Sequence, residues 1–402
     1  MKSRRFSQVI TLPLLVVVAT PVGLSAQTQQ DRHEPRLIEF DAPGAGTNPG
    51  TVNCFGACPG TVAVNANAEG VVVGYYVDDS NLYHGFVRYL DGGIETIDVR
   101  GAGKVIGSAQ GTVAYSINSE GAIAGQYQDG QFIYHGFVRS PDGVITTFDI
   151  PRVQVGANQG PGGSANINDA GEIAGYYVDG NNVNHGFVRY PDGKIKTFDV
   201  QVASTLANFA PQGTVVALES GLNAVGAITG WYFDSGQAVH GYVRAPDGSI
   251  TLFDNLDAGT GAFQGTYGGS INAEGAITGG ALDGNYVYHG FIRYPGGGME
   301  TFEAPLAGDT MGSFQGTFGV GINQGGTITA YVTDTYNVTH GAVRDARGNF
   351  TTFDAKGAGS GTGQGTTPQG INAAGAIPGY YTDQNNVNHG FLRLADICSE
   401  RQ

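Results

Sequence analysis

The sequence His-Gly-Phe-Val-Arg, or a close variant, recurs at His84, His135, His185, His240, His289, His340 and His389, at intervals of 49 to 55 residues. An Asp stands six residues before each His: Asp78, Asp129, Asp179, Asp234, Asp283, Asp334 and Asp383. An Arg stands four residues after each: Arg88, Arg139, Arg189, Arg244, Arg293, Arg344 and Arg393. Histidine beside carboxylates is the material of acid–base catalysis and, where the ligands converge, of metal binding. Catalysis, however, is built on one local site, and these groups are repeated all along the chain. The seven His are therefore expected to be structural, each hydrogen-bonded to the Asp six residues earlier across a hairpin. The Arg are expected to pair with acids of a neighbouring unit.

Each unit divides into four strand-like runs. In the second unit they are residues 111–118, 122–128, 132–139 and 144–149, separated by Asn118-Ser119-Glu120-Gly121, Asp129-Gly130-Gln131 and Pro141-Asp142-Gly143. Asn opening and Gly closing a four-residue turn, Asp-Gly and Pro-Asp-Gly are all tight-turn signals. Gly supplies 67 of 402 residues, far above the usual share of about 7%, and it lies among Tyr, Phe, Val and Ile. Four short antiparallel strands per unit predict an all-β, seven-bladed β-propeller. The last unit stops after its third run, at His389 to Leu394, while Leu37-Ile38-Glu39-Phe40-Asp41 reads as an unpaired fourth run. An N-terminal strand completing the last blade would close the ring and remove its sheet edges.

The domain reading follows. Residues 1–26 have the layout of a signal peptide, with Lys2, Arg4 and Arg5 before the mostly apolar run from Val9 to Val22 and a small-residue exit at Leu24-Ser25-Ala26. That run is short for a bilayer span of about 20 residues. Residues 27–36 read as a flexible segment, 37–395 as the propeller with closing strand 37–41, and 396–402 as a tail. A secreted or periplasmic protein is expected, cleaved near Ala26. Its near cysteines, Cys54 and Cys58, are disulfide candidates in an oxidising compartment, and no role is assigned to Cys398.

The units resemble a bacterial extracellular repeat family named for its His-Ala-Phe motif. The match runs from residue 37 to about 395 and is carried by Ile271-Asn272-Ala273-Glu274-Gly275-Ala276-Ile277-Thr278-Gly279 followed by His289-Gly290-Phe291. Gly consistently replaces the family's middle Ala, and Ala342 replaces one Phe. The resemblance implies an exported repeat protein with a propeller-like fold. It implies no reaction, and no active-site residues are carried over.

Net charge is −15, which repels phosphate backbones and argues against nucleic acid as a partner. In a propeller the turn before the third strand and the loop after the fourth share one face, so the seven Asp named above would ring it. The fourth runs add Asp41, Asp98, Asp149, Asp199, Asp254, Glu303 and Asp354. Clustered carboxylates suit Ca²⁺. The loops into each unit close on Gln110, Gln212, Gln264, Gln315 and Gln364, mostly within Gln-Gly-Thr, with Gln-Gly-Pro at Gln159. Tyr267, Phe314, Phe263 and Trp231 offer stacking faces or blade packing. The innermost strands place Asn65, Ser116, Asn166, Gly221, Ser270, Gly321 and Gly370 along a neutral polar channel, where Glu219 is the lone acid. The functional expectation is a non-catalytic binding or scaffold module, a monomer without a required cofactor. Its ligand, a glycan, peptide or surface protein, would be engaged by these Asp and Gln residues and Glu219. Two alternatives stand beside it: a Ca²⁺-dependent surface or matrix protein, and a propeller lyase or glycoside hydrolase with its site at the central mouth.

Overall fold

The computed structural model describes residues 36–50, 58–153, 155–163, 165–203, 212–218 and 220–395. Every regular element among them is a β-strand. None is a helix long and apolar enough to cross a membrane.

The second unit shows the plan. Strands Gly111–Ile117, Ile123–Gln128, Tyr134–Arg139 and Ile145–Phe148 form a consecutive antiparallel sheet. The first turn forms because Asn118 Oδ1 accepts the Ala122 N–H at 2.8 Å while Gly121 takes φ 87°, a conformation that costs Gly little. The third strand starts at Tyr134, two residues later than the sequence implies, because Phe132 sits in the turn at φ 66°. Prolines interrupt two of the first strands. In the third unit that strand is split into Gly160–Pro161 and Asn166–Ile167, and in the last unit it ends at Pro368. Pro has no N–H to give the ladder.

Six junctions between successive sheets are made the same way. The start of one unit's third strand meets the start of the next unit's first strand in a parallel pair, as in Tyr83↔Gly111, Tyr288↔Gly316 and Thr339↔Gly365. Asn388↔Gly60 repeats this pair between the last unit and the first. The Thr of Gly-Thr, fully buried, accepts the N–H that follows the previous unit's fourth-strand acid: Val99 to Thr112 at 3.0 Å, Ala304 to Thr317 at 3.0 Å. The same bond runs from Ala42 to Thr61 at 2.9 Å. Leu37–Phe40 lies antiparallel on Asn388–Arg393, in the register Phe40↔Gly390. The turn Asn residues add a further chain. Asn118, Asn168, Asn223 and Asn272 each donate from Nδ2 to the carbonyl of the next unit's turn Asn, and Asn372 donates to Asn67 at 2.6 Å.

The core lies between neighbouring sheets. Phe86, Phe137, Phe187, Phe291 and Phe391, the Phe of the recurrent pentapeptide, are fully buried. Gly precedes each, and in most units a fourth-strand ring packs onto its Cα, whereas Gly85 faces Ile97. A Cβ at Gly136, Gly186, Gly241, Gly290 or Gly341 would meet the ring of Phe148, Phe198, Phe253, Phe302 or Phe353 at 2.2–2.4 Å, inside van der Waals contact. That gives a physical reason for Gly in place of Ala. One core cluster holds Ala42 together with Val72, Phe86 and Leu392, residues from both ends of the described chain.

Candidate binding site

Each of the seven His rings stands between two carboxylates and is hydrogen-bonded at Nδ1, and His135 and His340 are hydrogen-bonded at Nε2 as well. Nδ1 meets the fourth-strand acid: Asp98, Asp149, Asp199, Asp254 and Asp41 lie 2.6–3.0 Å from His84, His135, His185, His240 and His389. His340 faces Asp354 at 3.0 Å and His289 bonds to Glu303. Nε2 faces the Asp six residues earlier at 3.4–3.8 Å. The expected partner is thus the more distant one, and the closer contact is to an acid 14 residues downstream or, for His389, to Asp41. Hydrogen bonds from these acids, outweighing burial, raise the pKa of His84, His135, His185, His289 and His389. Five of the rings also stack on a second-strand tyrosine, for example His135 on Tyr127 at 4.8 Å. Imidazoles committed on both edges and one face act as fasteners.

The Asp residues are engaged as well. Asp129 Oδ1 accepts the N–H of Gln131 at 2.8 Å and of Ile133 at 2.9 Å, and Asp78, Asp179, Asp234, Asp283, Asp334 and Asp383 do the same in their turns. Their second oxygen faces the His, and in Asp179, Asp283 and Asp383 it also accepts an Asn Nδ2–H. Among the described residues no group of three His, Cys, Asp or Glu stands where it could hold a metal ion.

The Gln residues differ from the expectation of ligand contacts: Gln110, Gln212, Gln264, Gln315 and Gln364 are buried. Gln264 Oε1 accepts the Gly261 N–H at 2.8 Å and its Nε2 donates to Gly284 O at 3.2 Å. Gln110, Gln315 and Gln364 likewise tie their loop to the adjacent turn. A buried amide bonded at both ends sets the loop's shape and has little left for a ligand. The Arg expectation holds for Arg139, which pairs with Glu95 at 2.7 Å, and for Arg344, which pairs with Glu300 at 2.5 Å, each acid on the previous unit's fourth strand. Arg88, Arg189, Arg244 and Arg293 instead lie 4.9–5.2 Å over the previous unit's Phe ring. Arg393 lies 5.1 Å over Phe353. The residues expected to line a channel are also fastened: Asn166 donates to Ala217 O at 2.8 Å, and Ser116 and Ser270 accept N–H groups of the next unit. Glu219, Cys54 and Cys398 lie outside the described residues. Cys58 is buried and disulfide-bonded.

A cavity of about 370 Å³ opens among residues of the first three units, bordered also by Leu218 and Gln369, which follow later first strands. Its polar lining includes Tyr75, Tyr83, Tyr115, Gln126, Gln128 and Tyr134, and among the described residues none that lines it is charged. Gln126 donates to Tyr115 Oη at 3.2 Å and accepts the Gly163 N–H at 2.5 Å. Gln128 donates to Phe132 O at 3.2 Å and to Asn158 Oδ1 at 3.0 Å. These bonds fix both amides. Tyr75 and Tyr83 rings lie 5.4 Å apart. Burial, then Tyr134, pushes the Tyr83 phenol up, and burial alone pushes Tyr134 up, so both keep a proton to donate. The sequence reading passed over this cavity. A signal was present: within Ile-Ala-Gly-x-Tyr the fourth position runs Tyr75, Gln126, Tyr176, Trp231, Gly280, Tyr331 and Tyr380, whereas the Gly before it is replaced once, by Ala330.

Among solved structures, the BP39L lectin from Burkholderia pseudomallei superposes with a TM-score of 0.52 at 8% identity, covering 81% of this chain and 91% of the lectin. With four-stranded antiparallel sheets following one another along the chain, that likeness decides the architecture. The fold is a β-propeller. This propeller also aligns with a polysaccharide lyase, an ulvan lyase bound to -[GlcA(1-4)Rha3S]-, at a TM-score of 0.49 and 11% identity over 89% of this chain and 96% of the lyase. A lectin of Aleuria aurantia, in complex with α-methyl-L-fucoside, gives 0.40 and 14% over 69% and 89%. No family model and no curated protein sequence matches the chain.

Proposed function

We propose that this protein is an exported, non-catalytic glycan-binding propeller of seven blades, closed by Leu37–Phe40, and that it holds a neutral sugar in the Tyr/Gln cavity. The register Phe40↔Gly390 and the pair Asn388↔Gly60 support closure, and the layout of residues 1–26 supports export. The observation that carries the binding reading is an uncharged cavity in a chain of net charge −15. Phenol hydroxyls match sugar hydroxyls, and tyrosine faces match the apolar face of a sugar ring, while the two bonded amides hold the cavity's shape. Among the described residues no carboxylate lines the cavity, and glycoside hydrolysis commonly needs a pair. The lectin likeness in fold agrees with a binder.

An array of neutral and anionic glycans tests the reading. Binding is expected to neutral members only. Replacing both Tyr83 and Tyr134 by Phe removes two hydroxyls and keeps the rings, and should weaken the best ligand about tenfold, the effect of losing roughly 1.4 kcal/mol of hydrogen bonding. An array without neutral hits, or a double variant that binds like the parent, contradicts it.

A further inference from the structure

The repeat carries its own internal comparison at two backbone positions. Three residues after each turn Asp the chain enters the left-handed region. Asn81, Asn182, Asn337 and Asn386 do so at φ 57–61°, as do Gln237 and Phe132 at 66° and Tyr286 at 61°. The loop into the next unit does the same at Ala109 (58°), Asn158 (62°), Phe263 (63°), Phe314 (55°) and Gly363 (77°). The two positions are bonded to each other, as in Ala109 N–H to Asn81 O at 3.1 Å, Phe263 N–H to Gln237 O at 2.8 Å and Phe314 N–H to Tyr286 O at 3.0 Å. Asn and Gly adopt this backbone readily, whereas for a bulky ring it is strained.

Three of the four strained aromatics gather around the fifth unit. Phe263 is 39% exposed and Phe314 51% exposed. The Tyr286 ring lies 5.5 Å from Phe314, and its hydroxyl donates to Ala262 O at 3.2 Å, in the loop that carries Phe263. The backbone is thus strained at Phe263 and Phe314, whose rings are exposed, and at the half-buried Tyr286, although the same turns close elsewhere in the chain with Asn, Ala or Gly. Phe263 gains one edge-on contact with Phe233 at 6.3 Å, and strain kept at largely exposed rings is characteristic of binding sites.

We propose that Phe263, Tyr286 and Phe314 form an aromatic shelf that stacks the apolar face of a neutral pyranose ring, as a second glycan subsite on different units from the Tyr/Gln cavity. This rests on the glycan reading above. The occupant follows from the surroundings. Rings favour a C–H face, and the Tyr286 hydroxyl, which donates to Ala262 O, keeps a lone pair to accept from a sugar hydroxyl. The acidity of the chain disfavours polyanions.

The test uses the residues that the repeat itself places at these positions: Tyr286→Asn, Phe314→Gly and Phe263→Ala combined in the full chain, measured on immobilised neutral oligosaccharides and by thermal melting. Affinity is expected to fall at least about fivefold, a loss of roughly 1 kcal/mol, while Tm holds or rises because strain is relieved. Unchanged affinity overturns the shelf and leaves the cavity reading intact. A lower Tm assigns the rings to packing and also overturns it. A parent protein that binds no neutral oligosaccharide removes the glycan reading itself, and the shelf with it.

Discussion

Removing residues 36–41 is expected to cost the protein its cooperative melt near the parent Tm and to turn much of it into aggregate. Leu37–Phe40 supplies the antiparallel neighbour of Asn388–Arg393. Without it that strand presents unpaired N–H and C=O groups, a template for pairing between molecules. Side-chain losses add to this. Arg88 lies 4.9 Å over the Phe40 ring, and Phe86 packs edge-on to that ring at 6.0 Å. His389 loses Asp41, and Leu37 leaves the cluster around Ile377 and Phe391. The single change Phe40→Ala isolates part of the effect, at roughly 3 kcal/mol for a large ring that is half-buried. Thermal melting and light scattering of the two variants read both results. An unchanged melt after the deletion would contradict the assignment of this strand.

The second large effect is in pH. Hydrogen bonds to acids raise the folded pKa of His84, His135, His185, His289 and His389 above the ordinary 6.5. A raised folded value means tighter proton binding by the native state, so this stabilisation is complete below the unfolded pKa and is lost as pH rises through the folded one. Asp129, Asp179 and Asp283 shift the other way: burial opposes, but backbone N–H bonds and the His prevail and lower their pKa from 3.8. Their contribution is present above that ordinary value and is lost as pH falls through the depressed one. Stability should therefore peak at mildly acidic pH, between the two ranges. Because the same pair recurs around the fold, Tm should drop by several degrees from about pH 5.5 to about pH 8.5. Calorimetry across that range reads it, and His135→Gln should flatten the slope. A Tm that is level, or higher at the alkaline end, would show that the His–acid pairs do not report on folding.

Much of the fold was legible in the sequence because it is local. Asn118 to Gly121 announces a turn, and alternation within Ile-Ala-Gly-x-Tyr announces a strand. A fixed His-to-His spacing makes one unit speak for the rest. The fourth-strand character of Leu37–Phe40 was readable for the same reason, since Phe40-Asp41 copies Phe353-Asp354. The side-chain partnerships were less legible. His135 prefers Asp149 over Asp129 because the neighbouring fourth strand brings Asp149 Oδ1 to 2.6 Å, a distance across strands that spacing along the chain does not encode. Gln264 looked like a loop residue open to ligand, yet the loop folds over it and it is 7% exposed. The Arg residues were matched to acids by charge, whereas most stack on rings, a choice set by which side chain the previous sheet presents. The cavity was the hardest feature to foresee, since Tyr75, Tyr115 and Tyr134 come from three different strands of two units. It becomes visible only when the repeats are compared for where they differ.

The closing register can be captured covalently. Ile38 and Leu392 are direct cross-strand partners, so an Ile38→Cys, Leu392→Cys double variant should form a disulfide under mild oxidation of the folded protein. Mass spectrometry of the proteolysed protein would find the two segments linked, with Tm raised relative to the reduced form, since a cross-link this long constrains the unfolded chain. Folded protein in which these two cysteines stay unlinked to each other would contradict closure by the N-terminal strand.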